Sequence, residues 1–494
     1  MIRKGRIIVS LGMLLVIVLT FGGLLAPVLP HWQFLPALLA GNFLALALIL
    51  AVTFLFGRVY CSVLCPLGIS QDLVIWLSGR RRKKRRSFAF ARERRGLRYA
   101  VLFLAGLSIL FGYPLFLGLV DPYSIFGRIL NDLFALPVSY GWNAIVGLSE
   151  RYDWLPLLMK AEVQQPSAWA AVLAGIYLIV LVALSWRHGR AYCHTICPVG
   201  TLLGTVSRFS VFRPVIDADR CIHCGACERT CPSACIDAKT GGIDSSRCVD
   251  CFDCLTICPK DALHFSRSHH AQQKVRMTET EPADTPPSGP VMTRRELLGT
   301  TALAIGTVAA GLVRSRSAMS AAVGAWGLEG EASILPPGAQ SADSFYTHCT
   351  SCHLCVSRCP SGVLLSSGPE NGALHLLQPH MDFSQGYCVY NCNLCSVVCP
   401  TGAIRPLSLA EKQQTKIGLA RYDKQQCLIT RDGIVCGNCA RHCLTQAITM
   451  VEDRDGRSYP VIDDAACIGC GSCEYHCPAE PSAIHIIGIA ELLR

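Results

Sequence analysis

The chain carries no pterin-, nucleotide- or flavin-binding signature, which leaves substrate chemistry to other proteins. No histidine sits in the middle of a long apolar run. His31 and His188 fall at the edges of such runs, so the facing histidine pair that a b-type haem needs inside a bilayer is missing. Charge is scarce too. Asp, Glu, Lys and Arg make up 16% of 494 residues and hydrophobic types 51%, a membrane-protein balance whose length suggests about three domains.

What is abundant is cysteine, with 29 residues. A disulfide scaffold is excluded, because such scaffolds are small and secreted. Here most cysteines fall in C-x2-C-x2-C-x3-C runs, the spacing that wraps one segment around an iron–sulfur cube. The net charge of +10 is concentrated in "GRRRKKRRSFAFARERRGLR" (79–98), with Arg80 to Arg86 uninterrupted. Nucleic acid is the tempting partner for such a run. Its place between two apolar stretches marks a cytoplasmic membrane loop instead, in contact with anionic lipid.

A spanning helix takes about 20 mostly apolar residues. The sequence predicts four spans, at roughly 7–29, 34–56, 97–119 and 167–186. Lys and Arg before and between them place the amino terminus in the cytoplasm, with Arg187, Arg190, Arg208 and Arg213 also inside. Residues 120–166 become a periplasmic loop. "CSVLCPLG" (61–68) and "CHTICPVG" (193–200) then lie at the cytoplasmic ends of spans two and four. Cys61, Cys65, Cys193 and Cys197 could hold one shared [4Fe–4S] cluster at the membrane surface, or form separate redox-active or copper-binding pairs. A polar linker (267–292) leads to "TRRELLGTTALAIGTVAAGLV", whose Arg294–Arg295 pair and mild apolar run fit a twin-arginine signal or a fifth anchor. Either sends the rest of the chain to the periplasm. The expected fold is a membrane α-helical bundle with α+β bacterial-ferredoxin-like domains on both sides. Its parts are a membrane domain (1–213), a cytoplasmic two-cluster ferredoxin (214–266), the linker, the signal or anchor (293–325) and a periplasmic four-cluster polyferredoxin (326–494).

Six runs carry the ferredoxin pattern. In two-cluster ferredoxins the fourth cysteine of each run ligates the other cluster. Cys221, Cys224, Cys227 and Cys258 therefore form one set, and Cys248, Cys251, Cys254 and Cys231 another. Four further runs follow: Cys349, Cys352, Cys355, Cys359; Cys388, Cys392, Cys395, Cys399; Cys427, Cys436, Cys439, Cys443; and Cys467, Cys470, Cys473, Cys477. Successive and nested pairing of these four runs both fit. The runs and the two membrane pairs use every cysteine except Cys235, which aligns with Ala403 and reads as a small buried residue. That arithmetic implies six [4Fe–4S] clusters and favours a seventh. "CTSCH" (349–353) matches a c-type haem attachment site, but its cysteines belong to a complete cluster run, so no haem is expected.

These motifs carry a resemblance. Four spans with paired Cys-x3-Cys-Pro and a following two-cluster ferredoxin resemble the NapH-type membrane ferredoxins. The second half resembles the NapG-type periplasmic polyferredoxins, and the chain looks like the two fused. The MauN and MauM proteins share this architecture. NosR-type relatives carry a periplasmic flavin domain, for which 120–166 is too short. The resemblance implies a quinol-oxidising relay that passes electrons from the membrane quinol pool to a periplasmic c-type cytochrome or reductase, with no nucleic acid involved. A maturation factor supplying electrons to a periplasmic metalloenzyme is the other reading. Asp121, Tyr123 and Arg128 in "DPYSIFGR" suit a quinol site, against the plainer reading of an interfacial belt of aromatics and charges.

Overall fold

The computed structural model describes residues 2–81, 88, 90, 93–112, 114–152, 160, 163, 165–267, 333–369, 372, 375–453 and 456–489. The linker from 268 onward, the twin-arginine-like segment and residues 82–86 of the basic run lie outside the described residues.

Of the four expected spans, 167–186 is one continuous helix, 7–29 is helical only as far as Phe21, and the other two are interrupted. Among the described residues, α1 (Ile2–Phe21) and α11 (Ala168–His188) are the helices long and apolar enough to cross a membrane. The run expected at 34–56 is split into α3 (Phe34–Leu39) and α4 (Phe43–Phe56). Gly41 turns the chain at φ 67°, and the Asn42 side chain accepts from Ala45 N to start the next helix. At 1.5 Å per residue α4 spans about 21 Å, short of a ~30 Å hydrocarbon core. The run at 97–119 breaks likewise, where α7 (Arg95–Leu110) ends at Gly112 and Pro114 leads into α8 (Leu115–Val120).

The connection expected at 120–166 is largely helical. After α9 (Pro122–Arg128) one π-helical stretch, Ile129–Phe134, continues into α10 (Ala135–Tyr152). Asp121 starts α9 by accepting from Ser124 N at 2.7 Å, with Pro122 in the first turn. Around the paired cysteine motifs the chain makes two matching helix–turn–helix corners. One is α5 (Val59–Val63) with α6 (Pro66–Arg81), and the other is α12 (Ala191–Thr195) with α13 (Pro198–Ser207).

The cysteine-rich parts contain only two-stranded antiparallel sheets among the described residues. In the first unit β1 (Phe212–Ile216) pairs with β4 (Leu263–Arg267), Phe212 opposite Arg267, and encloses a hairpin of β2 (Ile236–Asp237) and β3 (Gly242–Ile243). In the second part β5 (Leu364–Ser366) pairs with β6 (Pro379–Met381). Further on, β7 (Gly418–Tyr422) pairs with β10 (Ile484–Gly488) around the hairpin of β8 (Ile448–Glu452) and β9 (Ser458–Ile462). Isolated two-stranded sheets are marginal in water, so stability must come from what fills their interior. Here cysteines fill it. Cys231, Cys235 and Cys254 form the buried centre of the first unit with Ile236 and Leu263.

Both cysteine-rich parts pack on the helices. At one end Val211 N donates to Phe54 O at 2.9 Å, Arg190 N donates to Pro232 O at 2.9 Å, and Arg58 Nη1 donates to Ser246 O at 3.1 Å. At the other, Arg358 Nη1 donates to Thr20 O at 3.3 Å and Arg128 Nη1 to Ser351 O at 3.4 Å. His353 Nδ1 meets Asp132 Oδ1 at 3.0 Å in the same seam.

Candidate functional site

The two membrane motifs are longer repeats than their cysteines alone suggest. "GRVYCSVLCPLG" (57–68) and "GRAYCHTICPVG" (189–200) share Gly-Arg-x-Tyr-Cys-x3-Cys-Pro-x-Gly, and each element has a matching job. Gly57 (φ 82°) and Gly189 (φ 65°) turn the chain where it meets the first ferredoxin unit. A Cβ at 57 would fall 2.5 Å from Asp250 Oδ2, and one at 189 would overlap the Pro232 carbonyl. Tyr60 donates to Gln33 Oε1 at 2.9 Å and accepts from Phe34 N at 3.0 Å. Tyr192 donates to Val120 O at 2.6 Å. Gly68 and Gly200 sit against the Cys61 and Cys193 carbonyls respectively, with no room for a side chain.

The arginines cross over. Arg58 Nη2 donates to Cys193 O at 3.1 Å, while Arg190 Nη1 donates to Cys61 O at 3.0 Å. Cys61, Cys65, Cys193 and Cys197 are thereby brought together, each about 4–5% exposed and within electrostatic reach of one another. Cys65 precedes α6, and Cys197 caps α13 with its Sγ accepting from Gly200 N at 3.2 Å. Two helix N-termini are thus aimed at the sulfurs.

The four cysteines, expected at the ends of two helices, are packed against several other elements. Gln33, from the connection assigned to the opposite side, donates to Leu64 O at 3.3 Å. Asp121 lies within electrostatic reach of Cys65 on one side and Cys352 on the other. The four cysteines occupy the interior, between the two cysteine-rich parts. Arg190 is likewise fully buried.

The six ferredoxin-type runs also gather in fours. Cys221, Cys224, Cys227 and Cys258 line one hollow, and Cys231, Cys248, Cys251 and Cys254 line a second. Cys427, Cys436 and Cys439 line a third with Cys477, and Cys473 is grouped with Cys467, Cys470 and Cys443. Cys355 is surrounded by Cys352, Cys349 and Cys399, and Cys395 by Cys388, Cys359 and Cys392. Both C-terminal pairings are therefore successive. Cys388 N donates to Cys470 O at 2.9 Å, which joins the two pairs.

Among the described residues no three His, Cys, Asp or Glu side chains converge tightly enough for a single metal ion. A cube of four irons holds its ligands further apart, so cysteine-only sets around hollows suit it better than a mononuclear ion. Burial pushes the Cys352 and Cys388 thiols up to about 12, so taking up metal there must release protons. Cys235 is fully buried with its Sγ 3.5 Å from Cys231 Sγ. That hydrogen bond lowers the pKa of the Cys231 thiol and raises that of Cys235. Cys235→Ala is expected to leave iron and sulfide content unchanged by chemical analysis.

Asp121, Tyr123 and Arg128 do not form an interfacial belt, because each is about 1% exposed. Arg128 Nη2 donates to Gly118 O at 2.8 Å, while Asp121 Oδ1 and the Tyr123 hydroxyl have no hydrogen-bond partner among the described residues. His353 is held by Asp132 and by Leu377 O, 2.8 Å from its Nε2. Arg58, Gln33, Tyr60, Asp72 and Tyr192 went unread in the sequence. The Gly-Arg-x-Tyr extension of the repeat would have found three of them.

Sets of four cysteines on small two-stranded sheets define a multi-[4Fe–4S] electron-transfer protein of ferredoxin type. A 4Fe-4S binding domain matches twice, at residues 38–85 and 170–216, once over each repeat, and 4Fe-4S dicluster domains match 213–277 and 434–480. The methylamine utilization ferredoxin-type protein MauM of Methylophilus methylotrophus is 31% identical over 32% of this chain and 71% of its own length. The ferredoxin-type protein NapG of Escherichia coli (strain K12) is 28% identical over 32% of the chain and 71% of its own. MauN of Paracoccus denitrificans (strain Pd 1222) is 29% identical over 36% of the chain and 48% of its own. The chain belongs to the family of MauM-like ferredoxin-type proteins. No solved structure matches it.

Proposed function

We propose that the chain is a membrane-embedded electron relay that takes electrons from quinol and delivers them to a periplasmic c-type cytochrome or reductase. The observation that carries the reading is the grouping of 28 of 29 cysteines into sets of four, one of them between the two cysteine-rich parts. Each set holds a [4Fe–4S] cluster, seven in all, and the clusters when bound supply one-electron carriers. The chain's own residues exclude water from them and fix their spacing. The first ferredoxin unit lies on the cytoplasmic side and residues 326–494 on the periplasmic side, with α1 and α11 crossing the bilayer. Supporting this are the apolar helices and the basic residues flanking them.

Oxidised protein mixed with a menaquinol or ubiquinol analogue in a stopped-flow instrument is expected to show bleaching of its visible absorbance without any partner. Absorbance that stays constant, yet falls on adding dithionite, would remove quinol as the donor. A second reading, an electron-supplying maturation factor for a periplasmic metalloenzyme, is favoured by the likeness to MauM proteins, named for methylamine utilization. Steady quinol-dependent turnover with a periplasmic acceptor separates the two.

A further inference from the structure

Arg58 and Arg190 hold the same place in the repeat, and both are fully buried. Their partners differ. Arg190 places Nε and Nη2 on the Asp72 carboxylate at 2.8 and 2.6 Å, and Arg6 shares that carboxylate at 2.9 Å. Among the described residues no carboxylate lies at ion-pair distance from the Arg58 guanidinium, although the buried Asp250 carboxylate, packed against Gly57, is within its electrostatic reach. The guanidinium meets only the Ser246 and Cys193 carbonyls, both at 3.1 Å, and Cys61 Sγ at 3.6 Å, while its Nε has no hydrogen-bond partner. A buried charge without a directly paired counter-charge is costly. The N-termini of α6 and α13 add positive potential at the same sulfurs, so an anion belongs there. A cluster bound by four thiolates is anionic, and more so when reduced.

We propose that Arg58 is the counter-charge of the group held by Cys61, Cys65, Cys193 and Cys197, and that Asp72 cancels the same contribution from Arg190. The inference rests on the reading that these cysteines hold a [4Fe–4S] cluster. Reduction adds one electron to that cluster from an external donor, and the guanidinium stabilises the added negative charge. Arg58 thereby raises the reduction potential of the centre. Arg190 is a positioning residue that ties the start of α12 to α6.

The test is a redox titration of the full-length protein in detergent, with dithionite as reductant and ferricyanide as oxidant, followed by electron paramagnetic resonance. The component missing from Cys65→Ser identifies the centre. In Arg58→Gln that component is expected at lower potential by about 59 mV or more, a tenfold change in the one-electron equilibrium. Arg58→Lys restores most of the loss because it keeps the charge. Asp72→Asn frees the Arg190 charge and is expected to move the component the opposite way, and it tests the idea even where Arg58→Gln fails to fold. An unmoved component in either neutralised variant, or an equal drop in Arg58→Lys, overturns the assignment. If Cys65→Ser lacks no component, the cluster reading itself has failed, and the counter-charge assignment with it.

Discussion

Cys65→Ser is expected to remove one cluster in seven from the protein by iron and sulfide analysis, and to leave the six ferredoxin-type sets reducible by dithionite. Even residues that only support a metal ligand change affinity by about 10–100-fold when replaced, and losing the ligand itself costs at least as much. Cys65 is also poorly replaced, because it is about 5% exposed at the start of α6. Its set lies between the two cysteine-rich parts, with Arg58 contacting the first unit through Ser246 and Asp121 facing Cys352 of the second. Quinol-dependent reduction of a periplasmic acceptor is therefore expected to fall by about tenfold or more in the same variant. A variant with the parent's iron and sulfide content would show that the four membrane cysteines hold no cluster. One that loses a cluster yet keeps full acceptor reduction would show that the set lies off the route.

The second large effect is expected from Gly127→Val. α9 packs its Gly127 directly on the Cys352 carbonyl, and a Cβ there would overlap both that oxygen and the Phe21 ring. Gly118 repeats the contact, where a Cβ would lie 2.8 Å from Thr350 O. Oversized side chains in well-packed seams cost about 1–3 kcal/mol, and backbone cannot yield as a flexible side chain can. The variant should loosen residues 333–489 from the helices, seen as faster protease cleavage on the α9 side and slower quinol-dependent reduction of the C-terminal sets. Gly106→Val is the control, since nothing lies within 4 Å of a Cβ at that position. Unchanged cleavage in Gly127→Val would mean that the seam between α9 and Cys352 is not tightly packed.

Much of the centre was legible because cysteine spacing is local chemistry. A C-x2-C-x2-C-x3-C run can close around a cube with its own backbone, so the crossing of Cys231 and Cys258 in the first unit follows from the pattern, and the hollows match it. The C-terminal pairing was not legible. Successive and nested arrangements place the same residues at the same local spacing, and only the packing of Cys399 beside Cys355 chooses between them. The breaks in the helical part were not legible for a related reason. Hydropathy averages over a window, and Gly41–Asn42 or Gly112 with Pro114 barely change the average while breaking the helix.

By itself the sequence determined the kind of chemistry: an apolar helical part and cysteines in fours. Tertiary structure decided where that chemistry sits. Contacts from distant segments bury Cys61, Cys65, Cys193 and Cys197 between the two cysteine-rich parts. The arginine crossover, with Asp72 on one side only, makes two identical motifs unequal. Ligand spacing is set along the chain, but burial and charge balance are set by what other segments bring into contact, and no short stretch of sequence encodes them.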